Sequence, residues 1–142
     1  MSHLSVKFSA LADDVVLPSY AHEGDAGLDL RSRELKTLNP GEPELFKLGF
    51  ALALPPGYVG IVKDRSSLGK RGITTLAGVI DHTYRGEYCV VLVNVSQAPY
   101  TVRPGDKIAQ LLVLPVATVA FERVKDLPET TRGTGGFGST GR

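Results

Sequence analysis

A chain of 142 residues with 16 basic and 15 acidic side chains is sized for one domain with a real core. A net charge of +1 supplies neither the long-range field that attracts nucleic acid nor an acidic interaction tail. The single cysteine, Cys89, excludes an internal disulfide, lacks Cys or His neighbours at zinc-ligand spacing, and points to a reducing compartment.

No basic stretch followed by an apolar signal core stands at the N-terminus, and no apolar run approaches the roughly 20 residues that span a bilayer. The expectation is a soluble, cytoplasmic protein (or one in an intracellular host compartment if viral) that binds a small ligand, with no nucleic acid and no membrane. Sixteen glycines and nine prolines punctuate short runs rich in Val, Leu, Ile and aromatic residues, which favours strands. The predicted class is all-β.

In chain order, a first strand is expected at residues 4–8. Asp29 then stands between Leu28 and Leu30, so a strand with the leucines facing in presents the carboxylate on its other face, as any exposed strand residue would be. Further strands are expected at residues 45–54 and 58–63. The pairs Pro40-Gly41, Pro56-Gly57 and Pro104-Gly105 suit type II turns, in which glycine takes the positive φ, and read as hairpin corners.

The only helix predicted begins near Ser66, whose hydroxyl is placed to cap it, and Gly69 and Gly72 keep it short. Arg65, Ser66 and Ser67, with the N–H groups of such a helix start, form a plausible phosphate cradle; the alternative is a capped turn beside a solvated arginine. Residues 78–87 carry Asp81 toward Gly86, and a hairpin there would hold one carboxylate at its bend. An aspartate at a turn also commonly bonds its own backbone.

Strands are expected again at residues 88–96, 107–115 and 118–124. Gln110 is a polar residue in an apolar run, and a buried amide needs partners, whether a ligand or a neighbouring strand. Residues 132–142 hold five glycines, with Phe137 as their only apolar side chain. Such a segment cannot bury enough surface to stay ordered alone. It reads as a mobile arm in which Arg132, Thr134, Ser139 and Thr140 offer phosphate-binding groups, Phe137 offers a stacking face, and glycine lets the backbone wrap a ligand.

Together, in order and spacing, residues 26–30, 65–69, 78–87, 104–111 and 132–141 resemble the five motifs of the trimeric dUTPase family. The resemblance implies a jelly-roll-like β barrel at residues 1–127 with one short helix, and a flexible Gly-rich arm at residues 128–142. It also implies a homotrimer with active sites shared between subunits. The implied reaction is hydrolysis of dUTP to dUMP and pyrophosphate with Mg²⁺ held by triphosphate oxygens.

In that resemblance Asp81 is the general base toward the attacking water, and Asp29 acts near the metal through bound water. Arg65, Ser66, Ser67 and Gln110 grip the triphosphate, while Arg132, Gly138, Ser139 and Thr140 fasten it when the arm closes. Phe137 covers the uracil, Tyr84 packs under the deoxyribose, and backbone groups around Gly78 and Cys89 meet the uracil edge. Two residues depart from the pattern: Thr83 stands where many relatives have Asp, and Asp64 where Pro is frequent.

The nearest rival, a dCTP deaminase, shares the fold and an Arg-Ser-Ser segment. Deaminases of that kind carry a glutamate where this chain has Val91, so a proton carrier is missing. A non-catalytic nucleotide-binding barrel is the other alternative, and the presence of Asp81, Arg132 and Phe137 together argues against it.

Overall fold

Short apolar runs separated by glycine and proline fold into eleven strands and one helical turn among the described residues, 3–141, of a computed structural model. Met1, Ser2 and Arg142, the last residue of the expected arm, lie outside those residues. The elements are β1 (Lys7–Ala10), β2 (Leu28–Arg31), β3 (Lys36–Leu38), β4 (Pro43–Lys47), β5 (Phe50–Ala53), β6 (Tyr58–Lys63), α1 (Ser66–Gly69), β7 (Ile73–Leu76), β8 (Val79–Ile80), β9 (Cys89–Asn94), β10 (Tyr100–Val102) and β11 (Lys107–Pro115).

The pairings between these strands are antiparallel. One sheet runs β2-β11-β6-β8 and another β4-β9-β7, with β1-β5 and β10-β3 as two-stranded ladders. Alternation along β9 turns Val90, Leu92 and Asn94 inward, as the two-residue period of a strand requires. Val90 and Leu92 join Leu30, Leu38, Phe46, Val62, Tyr88, Val102, Ile108 and Leu111 in one core, each large side chain contributing about 1.5–3 kcal/mol by leaving water. Asn94 is fully buried and satisfied: its amide nitrogen donates to the carbonyls of Leu38 and Ala98, and its oxygen accepts from Ser96.

The turn chemistry holds while its topological reading changes. Gly41, Gly57 and Gly105 all have positive φ, and each turn closes with the expected backbone bond, Glu42 to Asn39, Tyr58 to Pro55 and Asp106 to Arg103. None is a hairpin corner, because β3 and β4, β5 and β6, and β10 and β11 pair with other partners. The turns carry the chain from one ladder to the next.

Other elements also differ from expectation. The strand predicted at residues 45–54 breaks at Gly49, whose φ of 79° turns the chain; a Cβ there would fall 2.7 Å from Val15 and from Arg33. The first strand forms later than predicted, at β1. Residues 118–124 form no strand, although Val119 and Phe121 alternate outward, because no strand of this chain lies beside them and all are exposed. No helix among the described residues is long and apolar enough to cross a membrane.

Candidate active site

The residues singled out from sequence gather in two places. The first lies where β2, β11 and the end of β6 meet. Gln110 on β11 is level with both Asp29 on β2 and Lys63 on β6, and its amide nitrogen donates to the Asp64 carbonyl at 2.8 Å. The neighbouring-strand role foreseen for this amide is therefore real. Gly27 makes room for it: a Cβ there would lie 2.1 Å from Gln110 Oε1.

Arg65 precedes α1 and reaches back across the same corner. Its Nη1 donates to the Lys107 carbonyl at 3.2 Å, and its Nε lies 4.0 Å from Asp29 Oδ1. Asp29, only 15% exposed at its side chain, pairs at 2.8 Å with Lys107 Nζ. Sequence reasoning passed over Lys107; its place in the motif at residues 104–111 was the only signal available, since its adjacency to Asp29 emerges from the pairing of β2 with β11.

Ser66 and Ser67 are exposed in the first turn of α1, where a helix leaves its N–H groups unpartnered. Ser66 is not the cap expected: Arg65 holds the extended N-cap position and makes no side-chain cap bond. The corner is thus rich in N–H, O–H and cationic donors suited to phosphate oxygens.

The second gathering is a cleft of about 230 Å³ lined by residues that include Gly78, Asp81, Tyr84, Cys89 and Val91. It is not formed by a hairpin. β8 pairs with β6, and β9 pairs with β4 and β7, so the Asp81 loop crosses between sheets. Gly78, at φ 106°, presses against the Val62 carbonyl, 2.7 Å from where a Cβ would stand, and its own carbonyl accepts from Val62 N–H.

Tyr84 is held from three directions. Its hydroxyl donates to the Glu87 carbonyl at 2.9 Å, its ring packs near Tyr88 at 6.1 Å between centroids, and Gly86 lies beneath it so closely that a Cβ would fall 2.4 Å from the phenol oxygen. Tyr88 in turn contacts Phe50 at 5.5 Å, and its phenol pKa is pushed up to about 12 by burial. Arg85 folds back to donate to the carbonyls of His82 and Tyr84. Burial raises the Cys89 thiol pKa, with Glu87 adding to the effect, so this cysteine is a neutral wall of the cleft.

The cleft runs along β6, with Gly78 beside Val62, but its carboxylate and Arg65 stand at opposite ends of the strand. Ile80 is opposite Gly60, which puts Asp81 beside the start of the strand, while Arg65 lies two residues past its end at Lys63. Four residues of strand at about 3.3 Å each separate those ends by about 13 Å. Arg132, Phe137, Gly138, Ser139 and Thr140 join neither place. Among the described residues, hydrogen bonds made beyond residue 116 stay within that segment, and Phe137 is fully exposed.

The fold and the site define a jelly-roll-like all-β protein with a donor-rich corner suited to phosphate oxygens and a carboxylate-bearing cleft. A family model described as dUTPase matches residues 13–141, and the chain belongs to the dUTPase family. It is 51% identical over 129 residues to a deoxyuridine 5'-triphosphate nucleotidohydrolase of Anaeromyxobacter sp. (strain Fw109-5), covering 89% of this chain and 88% of the relative. A Clostridium tetani protein of the same name is 43% identical over the full length of both. The solved structure of a Staphylococcus bacteriophage 80alpha dUTPase mutant with dUpNHpp superposes with a TM-score of 0.90 at 25% identity, covering 97% of this chain and 99% of that one. A phage phi11 dUTPase mutant, whose structure reveals coordination of a structural Mg(II) ion, gives 0.80 at 25% identity, covering 88% and 99%.

Proposed function

We propose that this chain hydrolyses dUTP to dUMP and pyrophosphate. The observation that carries the reading is the convergence of Asp29, Arg65, Lys107 and Gln110 at one corner, in a chain of the dUTPase family. Arg65, Ser66, Ser67 and Gln110 bind the triphosphate, and Arg132, Gly138, Ser139 and Thr140 fasten it when the arm, residues 128–142, folds over.

Asp81 orients a water and takes its proton as the oxygen attacks the α-phosphorus. The bond from that phosphorus to the bridging oxygen breaks, and pyrophosphate leaves with the electron pair. Arg65 and the cradle donors stabilise the charge that builds on the phosphate oxygens.

Uracil sits in the cleft beside Gly78 and Cys89, covered by Phe137, with Tyr84 under the deoxyribose. Uracil offers an N3–H donor and an O4 acceptor, and cytosine the reverse, so the wrong base leaves buried polar groups unpaired, a discrimination of about 10⁴ or more.

The donor set fits Mg²⁺ that arrives on the nucleotide. Among the described residues no group of three or more His, Cys, Asp or Glu is placed to hold a metal ion, and Asp29 is a lone carboxylate already paired with Lys107. Asp29 would hold the ion through water, in keeping with the reluctance of Mg²⁺ to lose its hydration. When bound, the ion would supply neutralisation of the triphosphate charge.

The distance between Asp81 and Arg65 along β6 supports a site completed by other copies of the chain, a homotrimer in which the arm of one subunit closes a site on its neighbours. Val91 in the cleft wall offers no proton carrier for deamination. The test is pyrophosphate release from dUTP beside dCTP, dTTP and UTP, with and without Mg²⁺. Efficient turnover of dUTP alone is expected, and ammonia release from dCTP at a comparable rate would overturn the reading.

A further inference from the structure

Asp64, one of the two departures from the family pattern, has an unusually complete set of partners. Its Oδ2 accepts the Thr74 hydroxyl at 2.6 Å, while Oδ1 accepts the Thr75 N–H at 2.7 Å and the Thr75 hydroxyl at 2.6 Å. Thr74 and Thr75 lie on β7 in the β4-β9-β7 sheet, whereas Asp64 directly follows β6 of the other large sheet. The carboxylate therefore staples the two sheets at the start of α1.

The main chain of the same residue faces the other way. Its carbonyl accepts the Gln110 amide, and the next residue, Arg65, extends to β11 and β2. One position thus fixes Gln110 through its backbone and the Arg65-Ser66-Ser67 turn through its side chain. A proline at 64 would stiffen the turn by locking φ, with no side-chain acceptor; three charge-assisted hydrogen bonds do so here. The carboxylate is bonded to β7, whereas Arg65 reaches Lys107 and Asp29 and Gln110 meets the Asp64 carbonyl, so the clamp and the cradle contacts engage different elements.

We propose that Asp64 is a positioning residue for triphosphate recognition, holding Arg65, Ser66, Ser67 and Gln110 in register through its clamp on Thr74 and Thr75. The inference rests on the reading of those four residues as the phosphate cradle.

The test compares calorimetric binding of the non-hydrolysable α,β-imido analogue of dUTP with that of dUMP, in Asp64→Ala, Asp64→Asn, Thr75→Val and Arg65→Ala. In Asp64→Ala the analogue binds about tenfold more weakly while dUMP changes less than about threefold, and KM for dUTP rises more than kcat falls. Asp64→Asn recovers most of the loss, since its oxygen still accepts from Thr75 and its NH₂ donates to the Thr74 hydroxyl. Equal weakening of both ligands would mark a general structural role and overturn the inference.

If Arg65→Ala weakens the analogue but Asp64→Ala does not, the inference fails and the cradle stands. If Arg65→Ala leaves the analogue unaffected, the cradle reading falls and takes the inference with it. Should Asp64→Ala fail to fold, Thr75→Val keeps the shape of the side chain and carries the test. Selective weakening of the analogue by about threefold is then expected, and unchanged binding refutes the role.

Discussion

Gln110 and Gly27 fit each other as side chain and vacancy: the amide oxygen lies where a Cβ on Gly27 would come within 2.1 Å. The oxygen cannot yield without moving the amide nitrogen that is bonded to Asp64. Gly27→Ala should therefore expel Gln110 from its place between Asp29 and Lys63, at a cost of about 1–3 kcal/mol for overpacking. The expected outcome is a roughly tenfold rise in KM for dUTP, measured by pyrophosphate release, with a folded protein by circular dichroism. An unchanged KM would remove Gln110 from the phosphate site.

Much of this corner was legible in the sequence because its members are motif residues on strands whose type the apolar pattern reveals. Asp29 and Gln110 could each be placed on a strand, but a two-residue period does not say which strands are neighbours, so their alignment across β2 and β11 was not. Lys107 was missed for the same reason. Residues 118–124 mislead in the opposite direction: Val119 and Phe121 alternate as a strand does, yet a strand is defined by its partner, and this chain supplies none. The hairpins expected at the Pro-Gly pairs failed likewise, since turn residues set local φ and leave pairing to the core.

Asp81 is the one carboxylate assigned to proton removal. Asp81→Asn retains the size of the side chain and removes its basicity, so kcat should fall by about 10²–10⁴ while the affinity for the imido analogue stays within about threefold. Single-turnover measurement with saturating enzyme separates chemistry from release. A variant near full rate would exclude Asp81 as the base.

Tyr84 depends on the absence of a side chain at Gly86. Gly86→Ala would drive a methyl group to 2.4 Å from the Tyr84 hydroxyl and break its bond to the Glu87 carbonyl. If the Tyr84 ring is what leaves no room for a 2'-hydroxyl, the ratio of kcat/KM for dUTP over UTP should fall by about tenfold or more. An unaltered ratio would transfer ribose exclusion to another residue.

Asp64 also makes stability depend on pH. Partial burial pushes its carboxyl upward, but the hydrogen bonds from the Thr74 and Thr75 side chains and from the Thr75 N–H outweigh this and leave the pKa below its ordinary value of 3.8. A carboxyl with a lowered folded pKa stabilises above its unfolded value, and the contribution is lost as pH falls through the folded one. At pH 7 the parent protein should melt a few degrees above Asp64→Asn. The gap should close below about pH 3.8, as differential scanning calorimetry would record. A gap that persists in acid would mean that the charge contributes nothing.

The arm makes the sharpest separation of folding from function. Among the described residues, the last hydrogen bond before the arm that ties the chain to the body is Val116 N–H to the Gly57 carbonyl. Beyond it Arg132 bonds only to Gly135 within the arm itself, among the described residues, and Phe137, with φ 49°, is wholly exposed. Truncation after Thr131 removes no buried residue among the described ones, so thermal stability should change by no more than about 0.5 kcal/mol. Activity should respond quite differently if, as proposed, closure brings in both the phosphate-binding groups of Arg132, Ser139 and Thr140 and the exclusion of water. A loss of about 10²-fold or more in kcat/KM is expected from forfeited positioning. Adding back a separate peptide of the arm should restore little, since its tethering is what holds it at high local concentration. Full activity in the truncated protein would show that residues 132–142 take no part in catalysis.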